Sequence, residues 1–439
     1  MNLSRTSETL QHRAIRAASL GMFLDGFDLS IIAIALLSLH TDWRIGPSVI
    51  GFLMASALLG SLVGGMVGGL LIDRYGRRLL LFSNVMLYIV GALASAASAN
   101  WYELAIARFI IGLGVGMDYP LVATVTAEYS DDSQRGNRFA WVNIAWYGGA
   151  LAASCVGLSL LPLGPWSWRI MLGIAALPAL YLLWLRQHIP ESPRWLSRSG
   201  QDLAANVALE KLHPSWTKQH VQSAVKNYGG KMRHWTILLR PLWRKRLLLS
   251  TLPWFCLDVV GLGIALYFPL VLRSEGLASN NMMAAAINVI FLLISVVGIL
   301  IILPRIDRFG RIPLQIAGFT LMALGLWLFA GALVVKLWIV VYIGCAIYAF
   351  GVGVGPGVTV IALAVEIFPT EWRASAGGFA TAVSRLGAAF SALIFPILYA
   401  DWGLPIVLVL MGIVSVIGAG VTFNYAVEPA RKSLESLES

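Results

Sequence analysis

The sequence is poor in the residues on which soluble enzymes and disulfide-stabilised proteins depend. Of 439 residues only 12% are charged, three are Cys and six are His. The Cys lie in separate apolar runs without a pairing or ligand spacing, which excludes a disulfide framework and a Cys-based metal site. The His lie in loops or at the ends of apolar runs. A membrane-embedded enzyme or a sensor is therefore the weakest interpretation, because function has to be argued from a site.

Apolar residues are abundant instead, at 58% of the chain with a mean hydropathy of +0.77. A lipid-spanning segment satisfies its own backbone as an α-helix of about 20 apolar residues. The sequence predicts an all-α integral membrane protein with twelve transmembrane helices in two pseudo-symmetric six-helix bundles. The predicted spans are 15–39, 48–72, 78–98, 101–124, 138–161, 168–187, 247–272, 280–303, 312–335, 337–362, 374–399 and 403–424. The predicted divisions are a bundle at 1–187, a basic cytoplasmic linker at 188–246, and a bundle with a short cytoplasmic tail at 247–439.

Most Lys and Arg residues are expected on one side of the membrane. With both termini on one side, 26 of the 32 Lys and Arg fall in loops or at span ends on that side, 4 in loops or at span ends on the other side, and 2 in the interior of spans. An excess of Lys and Arg marks cytoplasmic loops, so we expect both termini to be cytoplasmic, in a plasma or inner membrane. Because these residues are spread through short loops, nucleic acid is not an expected partner. Anionic lipid is an expected partner of the basic linker.

The two halves repeat one another. DRYGRR at 73–78 returns as DRFGRI at 307–312, with an offset of 234 residues. Three further features return in the same order: the spaced glycines Gly112, Gly114 and Gly116 as Gly351, Gly353 and Gly355, and Glu128 and Arg135 as Glu366 and Arg373. Each half has an even number of spans, so the repeats point the same way across the membrane.

Several motifs carry a resemblance to a known family. GLLIDRYGRR at 69–78 resembles the signature loop of the major facilitator superfamily, and PESPRWL at 190–196 with EIFPTEWR at 366–373 resembles its sugar-porter subgroup. GVGMDYPLVATVTAEYS at 114–130 is similar to the phosphate:proton symporter branch and to bacterial metabolite permeases. The resemblance implies a secondary active transporter that works by alternating access as a monomer, without a cofactor, with the proton as coupling ion.

The substrate-facing spans narrow the expected substrate. Spans 5 and 7 carry WVNIAWYGG and PWFCLDVVGLG, without the glutamines with which the sugar-porter subgroup binds sugar. Leu262, Trp146 and Arg385 also replace residues of the phosphate branch. We expect a small polar metabolite, with an organic anion first. A sugar or neutral metabolite carrier and an exporter of a toxic compound are the alternatives.

Four aspartates lie inside apolar spans, where an ionised side chain costs roughly 2.5 kcal/mol or more. Asp25 and Asp28 are three residues apart and share one face of the first helix, and Asp258 occupies the same relative place in the second half. These three could line one cavity, where one would exchange the coupling proton; alternatively, one of them only hydrogen-bonds a neighbouring helix. Asp118 has no acidic counterpart in the second half, which favours a role with substrate or proton.

Arg385 lies about a dozen residues into span 11 without an acid three or four residues away. Its partner is either Asp258 or Asp25, or a substrate carboxylate or phosphate, which a guanidinium group matches with two parallel hydrogen bonds. Tyr119, Asn143, Trp146 and Trp254 are predicted walls of a small-solute site. The alternative for the aromatic residues is the interfacial belt of membrane proteins.

Charged residues at helix ends in both halves predict an ion-pair latch between alternating conformations. The alternative is that the arginines only set the topology. The predicted gating residues are Gly69, Asp73, Arg77, Arg78, Arg108, Glu128, Arg135, Asp307, Arg311, Glu366 and Arg373. Gly112 with Gly116, and Gly351 with Gly355, predict close packing of helices.

Overall fold

Among the residues that the structure describes, twelve stretches are helical, long and apolar enough to cross a membrane, as the sequence predicts. The computed structural model describes residues 2–128, 135–187, 189–212, 216–228, 241–368 and 373–428. No strand occurs in these ranges. An all-helical fold is expected in lipid, because each spanning helix satisfies its backbone hydrogen bonds within its own segment.

The described residues of the first half form seven helices that make six spans. They are α1 (Asn2–Trp43), α2 (Pro47–Tyr75), α3 (Arg77–Ala97), α4 (Trp101–Glu128), α5 (Arg135–Leu160), α6 (Ser167–Gly173) and α7 (Ala176–Arg186). The pair α6 and α7 forms one span, Ser167–Arg186. The described parts of the polar linker contain three short helices, namely α8 (Pro193–Arg198), α9 (Asp202–Leu212) and α10 (Lys218–Tyr228).

The second half repeats this plan, with eight helices in the ranges that the structure describes. They are α11 (Pro241–Ser274), α12 (Asn281–Ile302), α13 (Ile306–Phe309), α14 (Arg311–Val334), α15 (Trp338–Val354), α16 (Pro356–Glu366), α17 (Arg373–Trp402) and α18 (Leu404–Asn424). Short 3-10 turns lie at Leu161–Leu163 and Leu303–Arg305. Because the number of spans is even, α1 begins and α18 ends on the same side, called here the terminal side; the other is the opposite side.

Each half is held together mainly by its own helix pairs. In the first half α2 packs along α4 and α1 along α5, and in the second half α14 packs along α15 and α11 along α17. The halves meet where α2 contacts α17, α1 contacts α11 and α5 contacts α12. These contacts leave a central space between the two halves.

The predicted glycine contacts are present in both halves. A side chain added at Gly112 or Gly116 would collide with the backbone of α2, at Ala57 and Ser61 respectively. Gly351 and Gly355 lie in the same way against α14. Small residues let helix backbones approach closely in a membrane, where apolar burial drives no association. The prediction of close helix packing is confirmed.

One span is interrupted beside the central space. α15 ends at Val354 and α16 begins at Pro356, so that Gly355 separates the two helices. Proline has no N–H to donate and fits the first turn of a helix. The resulting break stands in the middle of the tenth span, and residues on both sides of it line the cavity described below.

The two signature loops turn in the same way on the terminal side. Gly76 and Gly310 have φ angles of 84° and 85°, a left-handed conformation that only glycine adopts without strain. The Glu191 carboxylate then accepts the backbone N–H groups of Arg77 and Arg78, at 2.8 and 3.0 Å. Glu428 accepts those of Arg311 and Ile312 at 2.9 and 2.8 Å. A carboxylate thus caps the N-terminus of α3 and of α14.

Candidate functional site

A cavity of about 190 Å³ lies between the two halves. Its lining comes from α1, α4 and α5 of the first half and from α11, α12, α15, α16 and α17 of the second. Most of the wall is aromatic or aliphatic. The aromatic lining residues are Tyr119, Trp146, Tyr147, Trp254, Phe268, Phe291 and Tyr348, and the polar or charged remainder includes Ser30, Asp258, Asn288, Ser295 and Arg385.

Arg385 brings a positive charge to this apolar wall. Its NH1 lies 3.3 Å from Asp258 Oδ2, and its NH2 donates to the Tyr119 hydroxyl at 2.5 Å. The guanidinium carbon also stands 4.8 Å from the centre of the Tyr119 ring, within cation–π range. The pair with Asp258, one of the alternatives for Arg385, is present. Tyr119 belongs to the first half, so this cluster joins the two halves.

Two donors of the wall have no partner within the described structure: Arg385 Nε and Trp146 Nε1 are buried without a hydrogen bond. A buried unsatisfied donor costs about 1 to 3 kcal/mol. Tyr147, in contrast, donates across the cavity to the Gly357 carbonyl at 3.2 Å, just beyond the break in the tenth span. Both residues line the cavity, but these two nitrogen atoms are themselves covered by neighbouring atoms in this conformation.

Asp28 is paired inside the first half. Arg108 NH1 donates to its carboxylate at 2.7 Å and NH2 to its backbone carbonyl at 3.2 Å, with both side chains 2% exposed. This corrects the predicted placement of Arg108 at a cytoplasmic helix end. α4 begins on the opposite side at Trp101, so Arg108 lies in the half of the helix far from Glu128, where it meets the middle of α1.

Asp118 is the centre of a buried polar triad. Arg186 NH2 lies 2.5 Å from Asp118 Oδ1, Asn84 donates to the same oxygen at 2.6 Å, and Arg186 NH1 donates to Asn84 Oδ1 at 2.8 Å. The three residues come from α4, α7 and α3 and are at most 1% exposed. Asp118 is not among the residues that line the cavity, and its predicted role with substrate or proton stays a prediction.

The second half has a neutral version of this triad. Thr359 Oγ1 donates to Gln315 Oε1 at 2.8 Å, and Gln315 Nε2 donates to Thr422 Oγ1 at 2.8 Å. All three are 0% exposed and come from α16, α14 and α18, the counterparts of α4, α3 and α7. The absence of an acid opposite Asp118, noted in the sequence, therefore corresponds to a change from an ion pair to neutral hydrogen bonds.

Asp25 faces the interior of the first half rather than the cavity. Its Oδ1 accepts a hydrogen bond from the Tyr88 hydroxyl of α3, and its Oδ2 is buried without a partner in the described structure. The prediction that Asp25, Asp28 and Asp258 line one cavity is thus correct only for Asp258. The reason is rotational: Met22 and Ser30 occupy the cavity-facing side of α1, and the aspartates share a different side.

One of the predicted gating ion pairs lies among the described residues. Arg311 Nε lies 2.8 Å from Glu366 Oε2 and NH2 donates to Oε1 at 3.0 Å, a two-point ion pair on the terminal side. The backbone N–H groups of Arg77 and Arg78 donate to the Glu191 carboxylate, as described above. The side chains of Asp73, Glu128, Arg135, Asp307 and Arg373, together with Gly69 and the predicted wall residue Asn143, lie outside the described part of the structure.

Several residues of these networks escaped the sequence reasoning. Arg186 ends an apolar span and was counted with the loop arginines; the signal for it is that a buried Asp118 requires a cation. Asn84, Gln315, Thr359 and Thr422 are ordinary helix residues, and nothing in their spacing distinguishes them from other polar residues. Tyr88 likewise carries no signal before the packing of α1 against α3 is known.

Comparison with known proteins places this architecture in a family. The family of sugar (and other) transporters matches residues 14–439. A protein of Escherichia coli K12 with the description "Putative metabolite transport protein YaaU" is 30% identical over 431 residues, which is 97% of this chain and 94% of the relative. The niacin transporter NiaP of Acinetobacter baylyi is 27% identical over 428 residues, 95% of this chain and 94% of the relative.

A solved structure agrees over the whole length. The proton:xylose symporter XylE bound to 6-bromo-6-deoxy-D-glucose, a member of the major facilitator superfamily, superposes with a TM-score of 0.81 at 26% identity. The match covers 98% of this chain and 99% of the solved chain. The resemblance drawn from the loop motifs is confirmed by this agreement in fold and by the family match.

Proposed function

This chain belongs to the sugar (and other) transporter family, and from that premise we propose that it is a proton-coupled symporter for a small organic anion. The working unit is a monomer, because one chain builds the whole cavity. Both termini are cytoplasmic, in keeping with the placement of Lys and Arg. The solute enters the cavity from one side and leaves on the other as the two halves rock about it.

The observation that carries the substrate class is Arg385 in an otherwise apolar wall. A carboxylate would take the place of Asp258 beside the guanidinium, where two parallel hydrogen bonds give both affinity and orientation. Trp146 offers a further donor. The aromatic wall suits a flat, largely apolar body, since ligand sites are mostly apolar with a few placed polar groups.

A sugar is the second candidate because a solved relative is a xylose symporter. A sugar carries several hydroxyl groups, each of which needs a partner when it is buried. In the described lining, Ser30, Asn288 and Ser295 could supply such partners, but aromatic and aliphatic residues predominate. For this reason the organic anion is preferred.

A thermal-shift experiment on the purified protein tests the substrate class. The panel is nicotinate, benzoate, inorganic phosphate, xylose and the neutral analogue nicotinamide. A ligand at 100 times its Kd stabilises the folded state by about 2.7 kcal/mol, so the carboxylates should raise Tm while nicotinamide does not. Arg385→Gln should abolish the shift. Arg273→Gln, which removes an arginine bound to carbonyls on the opposite side, should preserve it.

Uptake into proteoliposomes tests the coupling. We expect labelled nicotinate to accumulate faster when the outside is more acidic, after subtraction of protein-free liposomes, and a protonophore to remove the difference. In the thermal-shift experiment, a rise in Tm with xylose alone would contradict the organic anion and favour a sugar as the substrate. Uptake that ignores the pH gradient would contradict proton coupling.

A further inference from the structure

Asn288 brings an amide to the end of the cavity that lies away from Arg385. It belongs to α12 and lines the cavity together with Asp258 and Arg385. On the opposite side, where α11 is followed by α12, Arg273 Nε donates to Asn281 Oδ1 at 3.1 Å. Asp258 lies fifteen residues before this contact on α11, and Asn288 lies seven residues after it on α12. At 1.5 Å per residue, Asn288 is therefore roughly 12 Å nearer the opposite side.

The orientation of this amide follows from its partner, Ser154 of α5. The Ser154 hydroxyl donates its single proton to the Ala150 carbonyl at 3.0 Å, so its oxygen can only accept a hydrogen bond from Asn288. Asn288 Nδ2 donates that bond at 3.2 Å. The amide oxygen Oδ1 is then left for the cavity, and it accepts no hydrogen bond from the described residues.

The neighbours of Asn288 in the cavity wall are apolar or already paired. Phe291, one turn along α12, meets Phe268 of α11 edge to face with ring centres 5.5 Å apart, and both rings line the cavity. The hydroxyl of Ser295, the next polar lining residue of α12, donates to the Ala349 carbonyl at 2.9 Å. A solute that covers the Asn288 oxygen without offering it a donor therefore leaves a buried acceptor unsatisfied, which is unfavourable.

We propose that Asn288 selects substrates that carry a hydroxyl or N–H group at the end remote from their carboxylate. The carboxylate binds Arg385, the flat body lies along the aromatic wall, and the remote group donates a hydrogen bond to Asn288 Oδ1. A site that accepts a hydrogen bond from its substrate discriminates against an analogue without the donor, because the buried acceptor then stays unpaired.

The same geometry disfavours a second carboxylate, which when ionised has only acceptors to offer. The substrate class narrows from organic anions in general to monocarboxylates with a remote hydrogen-bond donor. This inference names the substrate class of the proposed transporter and therefore rests on the proposed function.

Isothermal titration of the purified, full-length protein with three cinnamates tests the role of Asn288. The probes are 4-hydroxycinnamate, 4-methoxycinnamate and 4-carboxycinnamate, which share a carboxylate and a flat body and differ in the remote group. The hydroxyl compound should bind about tenfold more tightly than either of the others. Asn288→Leu, which has a similar size and no polar atoms, should remove this preference and still bind 4-methoxycinnamate.

Two further variants separate selection by the amide from a general effect on the fold. Asn281→Leu makes the same change on the same helix at a position outside the described cavity lining, and it should keep the preference. Ser154→Ala frees the amide to turn its NH2 group toward the cavity, so it should reduce the preference, which a merely structural role of Asn288 would not explain. A preference that survives in Asn288→Leu, or that is lost equally in Asn281→Leu, would overturn the proposal.

Failure of the proposed function gives a different result. If xylose binds and none of the cinnamates does, the organic anion fails as the substrate, and xylose, whose hydroxyl groups are donors, becomes the probe for Asn288. Asn288→Leu should then weaken xylose binding about tenfold, with Asn281→Leu again as the control. An unchanged affinity for xylose would overturn the role of Asn288 as well.

Discussion

At the scale of single residues, the two halves solve the same packing problem with different chemistry. Three helices are tied together by the charged triad around Asp118 in the first half and by the neutral triad around Thr359 in the second. Removing one partner of a buried ion pair leaves an uncompensated charge, whereas removing a neutral hydrogen bond leaves only an unsatisfied dipole. The first half should therefore be the more sensitive to mutation at this position.

Asp118→Asn is expected to destabilise the protein strongly. The change leaves the buried Arg186 guanidinium without a counter-ion, at a cost of about 3 to 5 kcal/mol. Thr359→Val, the counterpart in the neutral triad, should cost only about 1 to 3 kcal/mol. Thermal unfolding of both variants in the same detergent measures the difference. Equal losses of stability would contradict the importance of charge in the first triad.

Asp258→Asn should tighten anion binding and slow transport. The substitution removes the partner of Arg385, so a substrate carboxylate no longer has to displace it; we expect about tenfold tighter nicotinate binding, or about 1.4 kcal/mol. Slower release should reduce the rate of uptake. Isothermal titration measures the affinity, and neutral nicotinamide, whose affinity should not change, is the control. Weaker nicotinate binding would show that Asp258 assists the anion rather than competing with it.

Side-chain spacing predicted which residues share a face, but not what that face meets. Asp25 and Asp28 do lie on one side of α1, yet the side faces α3 and α4 because Met22 and Ser30 occupy the side toward the cavity. The pair of Arg385 with Asp258 could be named in advance because few anions were available in the second half. Arg108 was misplaced because its depth depends on the direction in which α4 crosses the membrane.

At the scale of helices, glycines let the backbones of neighbouring helices come into direct contact. The contact of α2 with α4 leaves no space for a methyl group at Gly112, because the carbonyl of Ala57 already fills that position. Backbone atoms cannot move aside as a flexible side chain can. Other helical glycines, such as Gly378 in α17, face open space. Interfaces of this kind were predictable from the small-xxx-small spacing, since that spacing repeats in both halves.

Gly112→Ala should destabilise the first half by about 1 to 3 kcal/mol through overpacking. Gly378→Ala adds the same methyl group where nothing lies within 4 Å, so it should be neutral or stabilising by up to about 1 kcal/mol because alanine favours helix. The midpoint of thermal unfolding reports both changes. If the two variants behave alike, α2 and α4 are not as close as the structure shows.

At the scale of the whole molecule, the number and order of the spans followed from hydropathy and the internal repeat. The sequence could not reveal how the halves meet, because the contacts between them join residues far apart in the chain. On the opposite side α2 lies close to α17: the space beside Gly51 is filled by the carbonyls of Ala392 and Leu393 and by the ring of Pro396. Alternating access requires these helices to separate.

Gly51→Trp should force the halves apart on the opposite side, because an indole ring cannot fit against α17. Cys345 reports the change: it is buried, lines the cavity and lies in the half of the tenth span, Trp338–Ala364, that is nearer the opposite side. In a variant that keeps only this cysteine, a membrane-impermeant maleimide added to intact cells should label Gly51→Trp faster than the parent. Gly378→Ala, which lies in open space on α17, the helix that Gly51 contacts, should leave the labelling rate unchanged. Labelling from the external medium would also require the opposite side to be extracellular, which agrees with cytoplasmic termini. Unchanged labelling in Gly51→Trp would indicate that this contact does not control access to the cavity.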